Sequence, residues 1–507
     1  MDSRAPEPQA GTLLALAAGA AGLVAQLGVL PCNDVWWHLA TARLIVRDGA
    51  IPTVDTFTFT EAGQPYLNQP WLAQLLLFAL FRVGGAALLL FANAAAVGVA
   101  YALLGRLAWE RSRNARAAAW SLILGGMLLG ADNWGVRPQT LVLPLFVGVL
   151  VLVSRGFQFE GTADAAMPAT FLGWTRATRF WLLPIFAALW VNLHGSFALT
   201  LVVPALALVG ATLERIAGQR LGADAAKRSV RVPLRFVAVW LALATLACCA
   251  NPRGAHVFTY VAHHVSTRAN AFNLEYLPPE PFSLGGGAVF AVGLGAVVLT
   301  LRSRRLPALA EILVFVFLLV QAVLARRAII WFGLFAPPFL ALRLAPLLKS
   351  KETDSPRLRL DWRPLTGLAI AVVLTSPWLR VHLFHGARGR LLDAATPVAA
   401  VEKLRTDPAA PSRLFHDLEY GCYLEWAAPQ QKVFIDTRFD FHTGPLLEDY
   451  VAISRGSLAR LDAYDIDGVL LDKVEERALV DVIRKDPAWE VRVDDDISLY
   501  AVKRKAR

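Results

Sequence analysis

Apolar runs and polar connections alternate along the chain, and the connections are of two kinds that themselves alternate. With about 20 residues taken as the length that spans hydrocarbon, and shorter helices allowed where neighbours bury them, the runs predict about eleven crossings. They fall at 12–31, 86–105, 117–131, 138–154, 180–193, 196–213, 236–250, 284–301, 307–324, 328–347 and 365–384. One set of connections, at 106–116, 155–179, 215–235, 302–305 and 349–363, is rich in Arg and Lys. The other set carries Asp34, His38, Asp55, Asp132, Arg137, His194, Asn251, Arg253, Glu275, Arg326 and Arg327. The positive-inside rule puts the basic set in the cytoplasm. With the N-terminus also inside, the groups capable of chemistry fall on the opposite face.

Two stretches test that parity. Residues 71–83 are apolar but only about a dozen long, and they stop at Gly84 and Gly85. A full span there would carry Arg106, Arg111, Arg113 and Arg116 to the outside, so the segment reads as an interfacial or half-membrane helix. The pair 180–193 and 196–213 has a short first member with Pro184, yet the basic flanks on both sides demand an even number of crossings. The first run follows a single Arg and precedes no small-residue cleavage pattern, which reads as an uncleaved signal anchor.

After about residue 386 the pattern changes. Short β-rich pieces at 413–416, 432–435, 468–471, 490–493 and 498–502 alternate with helical patterns at 397–404, 447–454 and 475–485. The expected architecture is therefore mostly α: a polytopic helical membrane domain at 1–385, with its first external loop at 32–70, then a small α/β extracytoplasmic domain at 386–507.

Composition supports the membrane assignment and removes one rival. Of 507 residues, 56% are hydrophobic and only 18% charged, and the mean hydropathy is +0.47, too apolar for an ordinary soluble protein. The net charge of +10 sits in the short basic connections, which are topology anchors and not a nucleic-acid stripe. Cys248 and Cys249 lie inside an apolar run as small hydrophobes. Cys32 and Cys422 both fall on the non-cytoplasmic side, where a disulfide is chemically allowed.

The first external loop is the richest in polar groups. It opens Asn33, Asp34, Val35, Trp36, Trp37, His38, Leu39, Ala40, Thr41. As a helix it would put Asp34, His38 and Thr41 on one face and let Trp36, Trp37 and Leu44 sit at the membrane surface. A carboxylate beside an imidazole at the lipid boundary suits a general base; equally, Asp34 could cap the helix and the tryptophans anchor it. Asp55, farther along the loop, is the alternative base.

An Asp, then Trp and a second aromatic just after the first crossing, a surface helix, and Pro70-Trp71-Leu72 entering an apolar segment that ends in Gly together resemble the GT-C superfamily of membrane glycosyltransferases. Oligosaccharyltransferase catalytic subunits and protein mannosyltransferase-like enzymes are similar there. The likeness extends more loosely through Arg137-Pro138-Gln139, Trp190 to Gly195, Asn251 to Gly254, Glu275-Tyr276, Arg326-Arg327, Tyr420 to Leu424 and Val433 to Arg438, as in a bacterial, uncharacterised branch. The Trp-Trp-Asp acceptor motif of oligosaccharyltransferases is absent, as is an adjacent acidic pair after the first crossing, so a divalent metal has no acidic pair to support it.

The resemblance implies a polyprenyl-phosphate-linked sugar donor, an extracytoplasmic protein, glycan or lipid acceptor, inversion at the sugar and a loop-borne Asp as base. A leaving phosphate needs cations in a low-dielectric setting. Arg137, Arg253, Arg326 and Arg327 stand at outer helix ends, where positive charge is least expected, and are candidate phosphate ligands; each could instead snorkel to headgroups or pair with an acid of the tail. Trp37, Asn192, His194 and Glu275 are candidate pocket residues, although a His closing a helix end is as common as one lining a site. His256, His263 and His264 form a loose cluster without a carboxylate at ligand spacing. Asp436, Arg438 and Asp440 alternate after an expected strand and read as an ion-paired edge with a conceivable acceptor role. The implied location is the inner membrane. Against the enzyme stand a transporter or flippase of lipid-linked sugars and a non-catalytic assembly subunit; the halves do not repeat and the charges gather at one interface, unlike a transporter.

Overall fold

A computed structural model describes residues 7–128, 135–157, 170–221, 232–266, 272–303, 307–348, 362–383 and 391–504. Asp132, much of the basic connections after 155, and the side chains of His263 and His264 lie outside the described residues. The chain is mostly helical and forms two compact units that are each discontinuous in sequence. One, the helical unit, comprises residues 1–27, 91–261 and 274–380. The other, the mixed unit, comprises 28–90, 262–273 and 381–507. The units thus divide the chain differently from a cut at 385, because the first loop is compact with the tail.

Each apolar run holds a helix where it is described. Trp71–Ser112, Pro138–Gly156, Gly195–Ala217, Leu284–Ser303 and Arg326–Leu344 are long and apolar enough to cross a membrane, and Thr366–Thr375 with Pro377–Leu383, bent by 62°, makes a sixth. Among the described residues the count by length and composition is thus five or six and not eleven: Ala10–Ala25, Leu182–Leu193, Leu234–Ala247 and Leu309–Leu324 are apolar helices of only 10–17 residues, and the run at 117–131 is described only to residue 128. These apolar helices make the chain an integral membrane protein. The helix from Trp71 breaks where the glycines predict: Gly84 has φ −140° and Gly85 has φ +60°, a conformation that costs a side-chain-bearing residue but not glycine. Ile329–Leu344 is apolar all round and almost wholly buried, as expected of a central helix. Arg111, expected in a basic cytoplasmic connection, is instead buried and 2.6 Å from Glu311; an acid inside an apolar run was the sequence signal for that pair.

In the mixed unit four strands, β1 (Leu414–His416), β2 (Gly468–Asp472), β3 (Trp489–Asp494) and β4 (Ser498–Lys503), form one sheet in the order β1-β2-β4-β3. β1 runs parallel to β2, and the other pairings are antiparallel. β2 is an uninterrupted apolar run because it is central and covered on both faces. Helices Gly444–Ser454 and Arg477–Lys485 supply Leu446, Leu447, Ile453, Leu479, Val480 and Ile483 to the core. The strand expected at 432–435 is not formed. Those residues pair with the first loop instead, Phe59 N donating to Val433 O (3.0 Å) and Val433 N to Phe57 O (3.1 Å), which lets Phe59 pack against the tail core. The helix Leu418–Ala427 was not foreseen, although Asp417 caps it by accepting from Glu419 N and Tyr420 N. Gly421 allows the 433–438 segment to lie against it, since a Cβ there would stand 2.4 Å from Ile435 O.

Candidate functional site

In the mixed unit the helix Val35–Asp48 begins at Asp34, which makes no side-chain cap bond. Its Oδ1 instead accepts the hydroxyl of Thr437, whose Oγ1 is also 3.2 Å from Cys422 Sγ. Asp34 is half-buried. The capping alternative therefore falls away. Trp36 and Trp37 are 2% and 8% exposed and pack inside the unit rather than presenting an outer face: Trp36 lies against Tyr423 at 5.1 Å between ring centroids, Trp37 on His38 at 3.8 Å. His38 Nδ1 is 3.4 Å from Gln74 Nε2, and Gln74 and Asn68 exchange amide hydrogen bonds of 2.7 and 2.8 Å. The imidazole is thus seated on a buried amide pair. Thr41 Oγ1 donates to Trp37 O within its own helix.

Asp55 belongs to a different constellation. Oδ2 accepts from Thr58 N and Oγ1, and Oδ1 accepts from Arg438 Nη2 at 2.6 Å. Arg438 also grips Asp436 through Nε and Nη2, Asp436 Oδ1 is 3.1 Å from His442 Nε2, and His442 Nδ1 is 2.7 Å from Glu61. Charges of alternating sign, two from the first loop and three from the tail, therefore form a buried chain. Burial opposes ionisation of Asp436 and Arg438, but the neighbours prevail: Arg438 and His442 hold the Asp436 carboxyl well below its usual range, and Asp436 and Asp55 hold the Arg438 guanidinium well above its own. Asp436 and Glu61 likewise raise His442 against the effect of burial. Beside the chain, burial and then Asp436 push the Glu425 carboxyl well above its usual range. The expected ion-paired edge thus exists, but as a sealed centre; Asp440 is only half-buried. Sequence reasoning missed Glu425, and also Thr437, His442 and Glu61, which have hydrogen-bond partners 403 or 381 residues away.

Cys32 and Cys422 are both free and buried. No disulfide forms: Cys32 Sγ points to Glu419 O, Cys422 Sγ to Thr437.

In the helical unit the predicted arginines converge on one short turn. The 3₁₀ turn Leu274–Tyr276 carries Glu275, which pairs with Arg137 Nη1, and Tyr276, whose ring lies 4.3 Å beneath the Arg327 guanidinium. Arg326 N donates to Leu277 O at 3.0 Å, holding the 3₁₀ turn Arg326–Ala328 against it. Arg137 precedes Pro138 at the first helical position of Pro138–Leu141, which fixes its direction. Arg327 is half-buried and has no carboxylate partner among the described residues.

Arg253 stands apart, exposed in a turn shaped by Asn251, whose amide donates to Cys248 O and Gly254 O. Asn192 ties the end of Leu182–Leu193 to that turn by donating to Ala250 O at 2.8 Å. His194 caps the turn after it, Nδ1 accepting from Ser196 N. Both side chains have a structural role in the fold. Among the described residues no three His, Cys, Asp or Glu side chains gather as metal ligands.

Similarity to known proteins lies in the fold and not in the sequence. No family model and none of the curated proteins matches the chain. The Archaeoglobus fulgidus oligosaccharyltransferase with a tethered acceptor peptide superposes at TM-score 0.55, with 13% identity, over 93% of this chain and 69% of that one. The archaeal enzyme AglB from the same organism, in complex with an inhibitory peptide and a dolichol-phosphate, gives 0.53, again with 13% identity, over 91% and 69%. The chain has the fold of the GT-C glycosyltransferases. ArnT from Cupriavidus metallidurans, bound to undecaprenyl phosphate, aligns over 97% of both chains at 15% identity and TM-score 0.49. The likeness of fold to the two archaeal structures agrees with the resemblance drawn from the first loop.

Proposed function

We propose that this chain transfers a sugar from a polyprenyl-phosphate donor to a protein, glycan or lipid acceptor on the non-cytoplasmic face of the inner membrane, with inversion. The N-terminus is then cytoplasmic and residues 386–507 are extracytoplasmic. The observation that carries the reading is Arg327: a half-buried guanidinium with no carboxylate partner among the described residues, on the turn that also gathers Arg137 and Arg326. Such a group is poorly hydrated and poorly compensated, and a phosphate supplies the missing charge.

In this reading Arg137, Arg326 and Arg327 hold the donor phosphate, with Arg253 as an exposed outer contact. Asp34 takes the proton from the acceptor as the acceptor's oxygen, or amide nitrogen, bonds to the anomeric carbon. The bond from that carbon to the phosphate oxygen breaks, and its electron pair leaves with the polyprenyl phosphate. Thr437 orients the Asp34 carboxylate. Asp55, spent on Arg438 and Thr58, serves the fold.

The test is transfer from a synthetic polyprenyl-phosphate sugar by the detergent-solubilised chain, with Asp34→Asn, Asp55→Asn and Thr437→Val beside it. Asp34→Asn should lower turnover about 100-fold or more while donor binding holds. Thr437→Val should cost less and shift the pH dependence of turnover. Transfer that survives Asp34→Asn would remove the residue from the mechanism, and vesicle translocation of the lipid without any transfer would make the chain a flippase.

A further inference from the structure

The mixed unit contains a cavity of about 710 Å³ that the proposed chemistry leaves unused. Trp36, Phe81, Tyr423 and Trp426 form its walls, and Arg43 and Arg405 stand in it. The rings brace one another edge to face: Phe81 and Trp426 centroids are 5.3 Å apart, Trp36 and Tyr423 5.1 Å. Trp36 is further fixed by Nε1 donating to Pro31 O at 3.0 Å. The walls are therefore set before any ligand arrives.

Arg43 decides what the cavity suits. Its guanidinium lies 4.7 Å over the Trp426 ring, and it donates to the carbonyls of Glu425 (2.8 Å) and Trp426 (3.0 Å), which end the helix Leu418–Ala427. Those bonds leave other N–H donors of the fork unused. The nearby basic groups are balanced, Arg405 by Glu402 and Arg47 by Asp48. Of these three cations Arg43 is the one with no carboxylate partner among the described residues, and burial together with Arg47 lowers its pKa. A half-buried cation in that position gains most from an anionic ligand.

The remaining lining selects the body of that ligand. A lipid tail needs a continuous apolar trough, whereas here the aromatic faces alternate with Arg405, Gln430 and the phenol of Tyr423. A sugar ring matches this mixture, with C–H faces that lie on aromatic planes and hydroxyl edges that meet polar tips. We infer that this cavity binds an anionic saccharide, one bearing a carboxylate or phosphate, through Arg43 and the Trp36–Trp426 walls. That this saccharide is part of the acceptor rests on the proposed transferase reading; the binding itself does not.

The experiment titrates the full chain in detergent, without donor, with a uronate oligosaccharide and with its carboxyl-reduced neutral counterpart, by calorimetry. The uronate should bind about tenfold more tightly, Arg43→Gln should abolish that difference, and Trp426→Ala should weaken both ligands. Arg405→Gln, at an exposed rim position, should reduce the uronate preference a few-fold even if Arg43→Gln disturbs folding. Equal binding of the two saccharides, an Arg43→Gln and Arg405→Gln pair that both keep the preference, or heat only from inorganic phosphate or phosphatidylglycerol micelles would overturn the site. Uronate binding by a chain that transfers no sugar would sink the transferase reading alone, and transfer without uronate binding would sink the cavity alone.

Discussion

Arg438, in the mixed unit, is 1% exposed and meets two carboxylates in a chain where each charge has a neighbour of opposite sign. Arg327, in the helical unit, is half-buried on a tyrosine ring at the end of an apolar helix, and the turn beneath it offers one carboxylate, which belongs to Arg137. Both are arginines at polar turns, and residue type does not tell them apart. The distinction is compensation. A sealed, balanced pair holds the fold together and is closed to a ligand, whereas a surplus of cation on a partly open turn is stable only weakly by itself and gains from an anion.

The comparison breaks first at Arg438. Arg438→Met should leave Asp55 and Asp436 buried without their cation and cost about 3–5 kcal/mol, read as a large drop in the melting temperature of the full chain in detergent; an unchanged melt would mean that the buried chain is not what it looks like. Arg327→Gln should do the reverse, moving the melt by less than about 0.5 kcal/mol while weakening polyprenyl-phosphate binding roughly tenfold, the worth of one charge-assisted contact. Unaltered lipid binding in Arg327→Gln and in Arg137→Gln would return both residues to a structural role.

A further effect is on pH dependence. Burial, then the Asp417 charge, raises Glu476 to about 9, while Tyr450 and Asp472 N donate to its oxygens. Since the unfolded value is 4.5, the folded state keeps a proton that the unfolded chain releases between those values. Stability of the mixed unit should therefore fall as pH rises through that window, and His442, raised above its ordinary value, adds to the fall. Glu61 and Asp436, both lowered, act oppositely, their contribution being lost only in acid. Glu476→Gln should flatten the decline between pH 5 and 9, measured by melting across that range; a slope equal to the parent's would reassign it.

What could be read in the sequence follows from how local each signal is. The helices described within the apolar runs and the break at Gly84 and Gly85 depend on spacing within a few turns, and both are formed. The turn joining Arg137, Glu275, Tyr276 and Arg327 was legible only as scattered outer charges, because its members come from three separate connections: Arg137 and Glu275 are separated by 138 residues. Residues 432–435 have the composition of a strand, yet their partners are Phe57 and Phe59, and no local rule foretells that. Trp36 and Trp37 read as membrane anchors because amphipathic rings suit an interface, but a protein core offers the same fit. Thr437 carried no signal of its own beyond its place between Asp436 and Arg438.

The mixed unit has a consequence for how the chain is made. Asp55 and Arg438 are 383 residues apart, Glu61 and His442 381. Synthesis runs from the N-terminus, so the loop bearing Phe59, Asp55 and Glu61 is finished long before anything exists to cover it. Its carboxylates stay hydrated and its phenylalanine uncovered until the last quarter of the polypeptide arrives, a closure of very high contact order. Any truncation or stall upstream of residue 433 therefore strands the loop as well as deleting the tail, and would mark the incomplete chain for chaperones and proteases.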